Sequence, residues 1–235
     1  MKIAILFLLS FNILLHAENL KIHFVGAAGE YKAEESLKAY RKLLESSFKV
    51  EVSETYTKDK SKEAPNFEKV KDADVLLVFA RRLNLSKENL KILKDHLAAG
   101  KPVVGIRTAS HAFQNFLELD AAYFGGSYNG HGKDMNVKMS TEDGSHEILK
   151  GVEVSGWERH DKPYYNDKNA SDVKVLLKGT EPGGRVHPMA WTRERGSQKV
   201  FYTSLGLPAD FKNEKFILLL NNSLKWVTNG QLEKK

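Results

Sequence analysis

The sequence predicts an α/β fold, namely a doubly wound, mostly parallel sheet with helices on both faces, in a single domain. Strand-like and helix-like patterns alternate along the first half of the chain, which is the order that builds a parallel sheet. One strand pattern, at residues 74–80, is an unbroken apolar run typical of a strand buried on both faces. The 235 residues suffice for one sizeable core, and no repeat or low-complexity linker indicates a second domain.

The first strand, helix and second strand are predicted between residues 21 and 52. KIHFVG (21–26) is a short β-rich run that ends in glycine. AEESLKAYRKLLESSF (33–48) places its apolar side chains at helical spacing. VEV (50–52) predicts the next strand, and a polar, lysine-rich loop then runs to about Pro65.

Two more strands and two helices follow. NFEKVKDA (66–73) predicts a short helix before the apolar run described above. Ser86 can cap the helix KENLKILKDHLAA (87–99), and Gly100 ends it before the strand PVVGI (102–106).

The second half of the chain is less regular. It is glycine-rich to about Gly132, and short strands are then predicted at VKVLL (173–177) and KVFYTSL (199–205). A last helix, EKFILLLNNSLKWVT, has one apolar stripe formed by Phe216, Leu220, Leu224 and Val227.

Residues 1–17 predict a secretory signal peptide. Lys2 precedes an apolar run over residues 3–15, and the small Ala17 precedes polar sequence. A buried first strand or a membrane anchor is the alternative, but the run is shorter than the ~20 residues of a spanning helix. We therefore expect an extracytoplasmic protein, periplasmic or secreted, whose mature chain is 18–235 and has no stable membrane anchor.

Charge and cysteine content exclude several classes of function. Removing residues 1–17 lowers the formal charge from +6 to +5, and the lysines are scattered without a long basic tract. A solvated surface therefore explains the charge better than nucleic-acid binding. The absence of cysteine excludes disulfides, thiolate metal sites and a cysteine nucleophile.

The turn after the strand that ends at Ile106 contains several side chains that could bind a ligand or act in catalysis. Ligands of doubly wound sheets bind beyond the carboxyl ends of the strands. Arg107 follows four apolar residues, so its side chain must end in the cleft or be buried with a partner. Ser110 is typical of a helix cap. We do not expect it to be a nucleophile, because the adjacent His111 should diverge from it.

GIRTASHAF (105–113) resembles the corresponding turn of the ThuA-like family, named for trehalose utilisation, within the class I glutamine amidotransferase-like superfamily. Further segments resemble that family in the expected order over nearly the whole mature chain: EYKAEESL, VLLVFARR, FGGSYNGHG and HPMAWTRERGSQKVFYTSLG. The resemblance implies one flavodoxin-like domain over residues 18–235.

The chain departs from the superfamily at its catalytic positions. Glutamine amidotransferases carry G-I-C-x-G at this turn, and Arg107 stands in place of the cysteine. In place of the late H-P-E motif the chain has Leu207 and Ala209 in the histidine and glutamate positions. Release of ammonia from glutamine is therefore excluded on chemical grounds.

The segment FGGSYNGHG is a candidate for the binding loop. Gly125 and Gly126 give its backbone freedom, and Tyr128 and His131 can project inward. The alternative is a surface turn, which glycine, serine and asparagine alone would indicate.

Four further residues complete the candidate site. His111 is a candidate for proton transfer together with the histidine of the binding loop. Glu30 could orient or charge-balance a histidine, although acidic groups there often only complement a helix dipole. Arg81 directly follows a buried strand and is preferred to Arg82 as a substrate ligand. Trp191 offers a flat face for a sugar ring or, alternatively, belongs to the core.

No metal or cofactor is predicted. His111, His131 and Glu30 lie in loops at one sheet edge, but no H-x-H or H-E-x-x-H spacing imposes a coordination geometry.

The resemblance implies that the protein binds or transforms a small carbohydrate, in the context of disaccharide utilisation. If it is an enzyme, we expect a hydrolase or isomerase. The alternative is a catalytically inert ligand-binding or interaction module on a decayed amidotransferase-like scaffold. An enzyme requires both histidines, with Glu30 or Arg107, around one concave pocket.

Overall fold

The computed structural model describes residues 18–142 and 144–235, and the predicted signal peptide lies outside them. Within these residues, nine strands form one sheet and three α-helices pack against it. In chain order the elements are β1 (Leu20–Ala27), α1 (Ala33–Ser47), β2 (Val50–Tyr56), β3 (Val75–Ala80), α2 (Lys87–Ala98), β4 (Val103–Ile106), β5 (Met135–Ser140), β6 (Glu158–Asp161), β7 (Val173–Thr180), β8 (Val186–Arg195), β9 (Gln198–Thr203) and α3 (Glu214–Val227).

The sheet is mixed rather than mostly parallel. Its strand order is β2-β1-β3-β4-β9-β8-β7-β5-β6, and the pairs from β2 to β9 are parallel. The remaining pairs are antiparallel. The difference arises because β5–β8 are joined without α-helices, whereas a parallel pair needs a long crossover connection.

The predicted strands and helices of the first half are confirmed. Every residue of β3 is buried, as its unbroken apolar run predicts. Ser86 caps α2 by accepting a hydrogen bond from the Asn89 N–H at 3.1 Å. Gly100 ends that helix with a left-handed φ of 70°, which glycine adopts without strain. The predicted short helix before β3 is a 3-10 helix at Phe67–Lys71.

Three strands of the second half, β5, β6 and β8, were not predicted, and β5 and β6 lack a continuous apolar run. β5 alternates buried and exposed residues, with Lys138 on its exposed face. β6 reads ERHD and contains no apolar residue at all, yet Arg159 and Asp161 are buried. Tertiary ion pairs, described below, stabilise β6 instead of a hydrophobic pattern.

The core lies on both faces of the sheet. Leu77 of β3 packs in one apolar cluster with residues of α1 and α3, including Leu37 and Leu220. Val78, the next residue of β3, packs in the other cluster with α2. Helices therefore cover both faces, as predicted. Within residues 18–142 and 144–235, no helix combines the length and the apolar character needed to cross a bilayer.

Candidate functional site

A cavity of about 610 Å³ lies beyond the carboxyl ends of β3 and β4. Its walls come from the residues that follow β3, from the turn that follows β4 and from the glycine-rich loop. The lining residues are Arg82, Ser110, His111, Leu117, Asp120, Ala121, Gly126, Ser127, Tyr128, Asn129 and Gly130. The cavity thus occupies the sheet edge at which the fold predicts ligands.

The turn after β4 is a 3-10 helix, Arg107–His111, that begins with a strained residue. Arg107 has a φ of +48°, in the left-handed region that side chains other than glycine rarely adopt. The Tyr202 hydroxyl holds this turn by donating a hydrogen bond of 2.6 Å to the Arg107 carbonyl oxygen. The backbone therefore changes direction sharply here and presents His111 to the cavity.

Ser110 does not cap a helix, and the expectation that His111 would diverge from it is wrong. Ser110 lies inside the 3-10 turn, and its Oγ is 3.0 Å from Nδ1 of His111. Both side chains lie on the cavity wall because the turn is tight. The Ser110 hydroxyl is thus hydrogen-bonded to Nδ1 of the imidazole.

His111 and Tyr128 form a stacked pair. Their ring centroids are 4.6 Å apart with an interplanar angle of 18°, and Tyr164 packs behind Tyr128, also at 4.6 Å. Burial lowers the pKa of His111 to about 4, and the neighbouring positive charges of Arg82 and Arg81 act in the same direction. The imidazole is therefore neutral at neutral pH.

Asp120 is a site residue that sequence reasoning missed. Its Oδ2 accepts a hydrogen bond of 2.9 Å from the Tyr128 N–H, whereas Oδ1 is buried without a hydrogen-bond partner among the described residues. Burial raises the pKa of this carboxyl to about 6, against the lowering effect of that N–H. The signal available was one acidic residue in the otherwise apolar segment LDAAYF.

Gly126 is required because its backbone lies against this carboxyl. A Cβ at this position would collide with the Asp120 carboxylate. Gly125 has a left-handed φ of 69° and makes the preceding turn without lining the cavity.

Arg107 is not placed to contact a substrate, which corrects one prediction. Its side chain is fully buried, with Nη1 3.1 Å from Asp161 Oδ1 and 2.7 Å from the Ser204 carbonyl oxygen. Its guanidinium also lies 4.4 Å and 4.8 Å from the ring centroids of Tyr31 and Tyr164. The second alternative stated for Arg107, burial with a partner, is the one observed.

The Arg107–Asp161 pair belongs to a buried chain of charges. Arg159 donates one hydrogen bond of 2.6 Å to Asp161 and another of 2.6 Å to Asp210. Asp210 in turn accepts hydrogen bonds of 2.8 Å from the N–H groups of residues 206 and 207. The chain of charges therefore links the position of the missing cysteine to that of the missing H-P-E motif.

The structure reverses the order of preference between Arg81 and Arg82. Arg81 is held by Asp59 at 3.2 Å and approaches Glu30 at 3.9 Å, and neither Arg81 nor Glu30 lines the cavity. Arg82 lines it. The preference was based on Arg81 directly following the buried strand, but the backbone turns at Arg82, which has a left-handed φ of 53°.

The remaining predicted residues do not line the cavity either. Trp191 is buried in the core, where its Nε1 donates a hydrogen bond of 2.8 Å to the Phe124 carbonyl oxygen. It therefore offers no free face to a sugar. His131 is exposed, and its ring centroid is 6.3 Å from that of Tyr164.

Of the nine predicted site residues, the cavity brings together His111, Gly126 and Tyr128. The two histidines do not share one pocket with Glu30 or Arg107, which was the arrangement required of an enzyme. In residues 18–142 and 144–235, no cluster of three or more His, Cys, Asp or Glu side chains has an arrangement that could hold a metal ion.

Comparison with known proteins identifies relatives of the whole chain. A family model described as "ThuA: Trehalose utilisation" matches residues 22–227. No curated protein matches.

Solved structures with the same fold include ThuA-like proteins from two bacteria. The protein from Bacteroides uniformis has a TM-score of 0.70 and 19% identity, over 90% of this chain and 92% of its own. The protein from Parabacteroides merdae has a TM-score of 0.70 and 16% identity, over 92% of each chain. The carbohydrate deacetylase Agd3 has a TM-score of 0.57 and 12% identity, over 90% of this chain and 33% of its own. At these identities the similarity shows the fold alone.

Proposed function

The chain belongs to the ThuA family, described as trehalose utilisation, and from that premise we propose that it binds a small carbohydrate in the cavity beyond β3 and β4. The cavity volume of about 610 Å³ lies in the ordinary range of small-molecule sites.

The observation that carries the proposal is the unpaired Oδ1 of Asp120. A buried carboxylate oxygen without a donor is costly, about 1–3 kcal/mol or more. A sugar hydroxyl entering the cavity would supply the missing donor. The stacked rings of His111 and Tyr128 add apolar surface beside it, which is the combination that a sugar ring requires.

The similarity to Agd3 agrees with a carbohydrate ligand, because that protein is named a carbohydrate deacetylase. Its reaction is not transferred to this chain. The cysteine, histidine and glutamate of a glutaminase are replaced here by Arg107, Leu207 and Ala209, so the glutaminase reaction is excluded as before.

The proposal is tested by isothermal titration calorimetry with trehalose, maltose and sucrose. We expect at least one of these sugars to bind, and Asp120→Asn and Tyr128→Ala to weaken that binding about tenfold or more, since each removes a contact to the ligand. Tyr56→Ala is the matched control, because Tyr56 lies on β2 and does not line the cavity. Binding that is equally strong in all variants, or absent for every neutral and acidic sugar tried, would refute the proposal.

A second candidate is that the bound carbohydrate is also transformed. The observation that favours it is the neutral His111, whose Nδ1 is occupied by Ser110, so that Nε2 remains as the proton-transfer atom. Hydrolysis or isomerisation of the bound sugar would be followed by NMR of the reaction mixture. His111→Gln should abolish product formation while retaining measurable binding; unchanged turnover in that variant would contradict the role of His111.

A further inference from the structure

Three arginines lie near His111, and they differ in how their charge is compensated. Arg81 forms ion pairs with Asp59 and, more distantly, Glu30. Arg107 is paired with a buried aspartate, as described above. Arg82 has no carboxylate within ion-pair distance among the described residues, and its Nη1 donates a hydrogen bond of 3.0 Å to the neutral Gln114 Oε1.

Arg82 is held in place by the backbone around it. Its own N–H donates to the His111 carbonyl oxygen at 2.9 Å, and the next N–H, of Leu83, donates to the Ala112 carbonyl oxygen at 2.7 Å. Its φ of +53° is unfavourable for a residue with a side chain, so the surrounding contacts impose it. The strained conformation places a cation on the cavity wall.

The carboxylate of Asp120 does not compensate this cation. Among residues 18–142 and 144–235 it is the one acidic side chain on the cavity wall, and it forms no ion pair with Arg82. Its Oδ2 accepts the hydrogen bond from the Tyr128 N–H. The described cavity wall therefore presents an uncompensated cation, Arg82, and a separate hydrogen-bond acceptor, the Asp120 carboxyl.

From this arrangement we infer that the ligand of the cavity is an acidic sugar, carrying a carboxylate or phosphate group that pairs with Arg82 while a hydroxyl reaches Asp120. A guanidinium suits either group, because its planar fork donates two parallel hydrogen bonds. The inference rests on the proposed function, which names the cavity as a carbohydrate site, and narrows its substrate class.

The test is calorimetry with glucose, glucuronate and glucose 6-phosphate in the same buffer, at about physiological ionic strength to suppress weak surface attraction. We expect glucuronate or glucose 6-phosphate to bind at least roughly tenfold more tightly than glucose, and the tighter of the two identifies the anionic group. Arg82→Gln should lower the affinity for that ligand to the affinity for glucose. Arg82→Lys should retain part of the preference.

Lys87→Gln is the control, because it removes one positive charge from an exposed position outside the cavity. It should leave the preference unchanged. Equal affinity for the three ligands, or a preference that survives Arg82→Gln, would overturn the inference. A further outcome is that neutral sugars bind in a way that depends on Tyr128 while acidic sugars bind no more tightly. That result would overturn the inference of an acidic ligand and leave the proposed function intact. Absence of binding by any sugar would refute the proposed function as well.

Discussion

Arg107 has the backbone conformation of a nucleophile at the end of a strand, but its side chain is not a nucleophile. Its left-handed φ of 48° is the strained geometry that a nucleophile elbow uses to expose its side chain. Here the side chain is instead buried between two tyrosine rings and paired with Asp161. The residue therefore stabilises the fold beneath the cavity.

Replacing Arg107 should destabilise the protein strongly. Arg107→Met removes one partner of a fully buried ion pair, which costs about 3–5 kcal/mol in the free energy of unfolding. Urea unfolding followed by circular dichroism measures this quantity. The control is Arg185→Met, which breaks the exposed pair with Asp167 and should have a much smaller effect. Equal effects of the two substitutions would contradict the structural role.

His111 should titrate far below an ordinary histidine. Its pKa of about 4 follows from burial, with Arg82 and Arg81 adding to the effect, so the ring is neutral from neutral pH down to about pH 5. A pH titration of the imidazole signals by NMR, assigned with His111→Gln, should give a midpoint near 4. Ligand binding that uses the neutral ring should persist over the same range and weaken only as pH approaches 4. A midpoint near 6.5 would contradict the described environment.

At the scale of elements, two buried histidines make part of the sheet sensitive to acid. His23 of β1 hydrogen-bonds Ser53 and Thr55 at 2.8 and 3.0 Å, and His96 of α2 lies close enough to influence its pKa. Burial is the main cause that lowers each pKa from 6.5 to about 4. Below pH 6.5 the unfolded chain therefore binds protons that the folded chain does not, and stability falls as pH decreases toward 4.

The expected loss is about 3 kcal/mol for each of these histidines over that range. Urea midpoints at pH 7, 6, 5 and 4 should show it for the wild type, and His96→Leu should show a flatter dependence. His160→Leu, which removes an exposed histidine on β6, is the control. An equal pH dependence in the wild type and His96→Leu would contradict this account.

Sequence reasoning predicted the elements whose stability comes from an apolar pattern. The apolar run of β3 and the capped helix α2 were found in place because burial and capping are encoded locally. β6 was missed because its buried Arg159 and Asp161 pair with Asp210 and Arg107, which are distant in the chain. Local patterns do not report such partners.

The candidate site was predicted less completely than the fold, for the same reason. The turn after β4 and the glycine-rich loop were identified, and with them His111, Gly126 and Tyr128. Arg82 was passed over because the left-handed turn that directs it to the cavity depends on contacts with residues 111 and 112. Asp120 was missed because only the folded loop brings it beneath the Tyr128 N–H.

For the whole molecule, we propose export with cleavage of the leader after Ala17. The proposal is based on the sequence of residues 1–17, which combines Lys2, an apolar run and a small residue before polar sequence. The secreted or periplasmic fraction should contain a chain whose intact mass begins at Glu18. Recovery of the protein from the cytoplasm with Met1 still present would contradict export.

For the whole molecule, we propose that the cavity beyond β3 and β4 is the site at which a carbohydrate binds. The most direct test is an NMR titration of the isotope-labelled protein with the sugar that calorimetry shows to bind most tightly. We predict that the backbone signals that shift most belong to Asp120, to residues 126–130 and to His111. Shifts concentrated at another surface, such as the cavity beside β1 and α1 at residues 26–35, would contradict it.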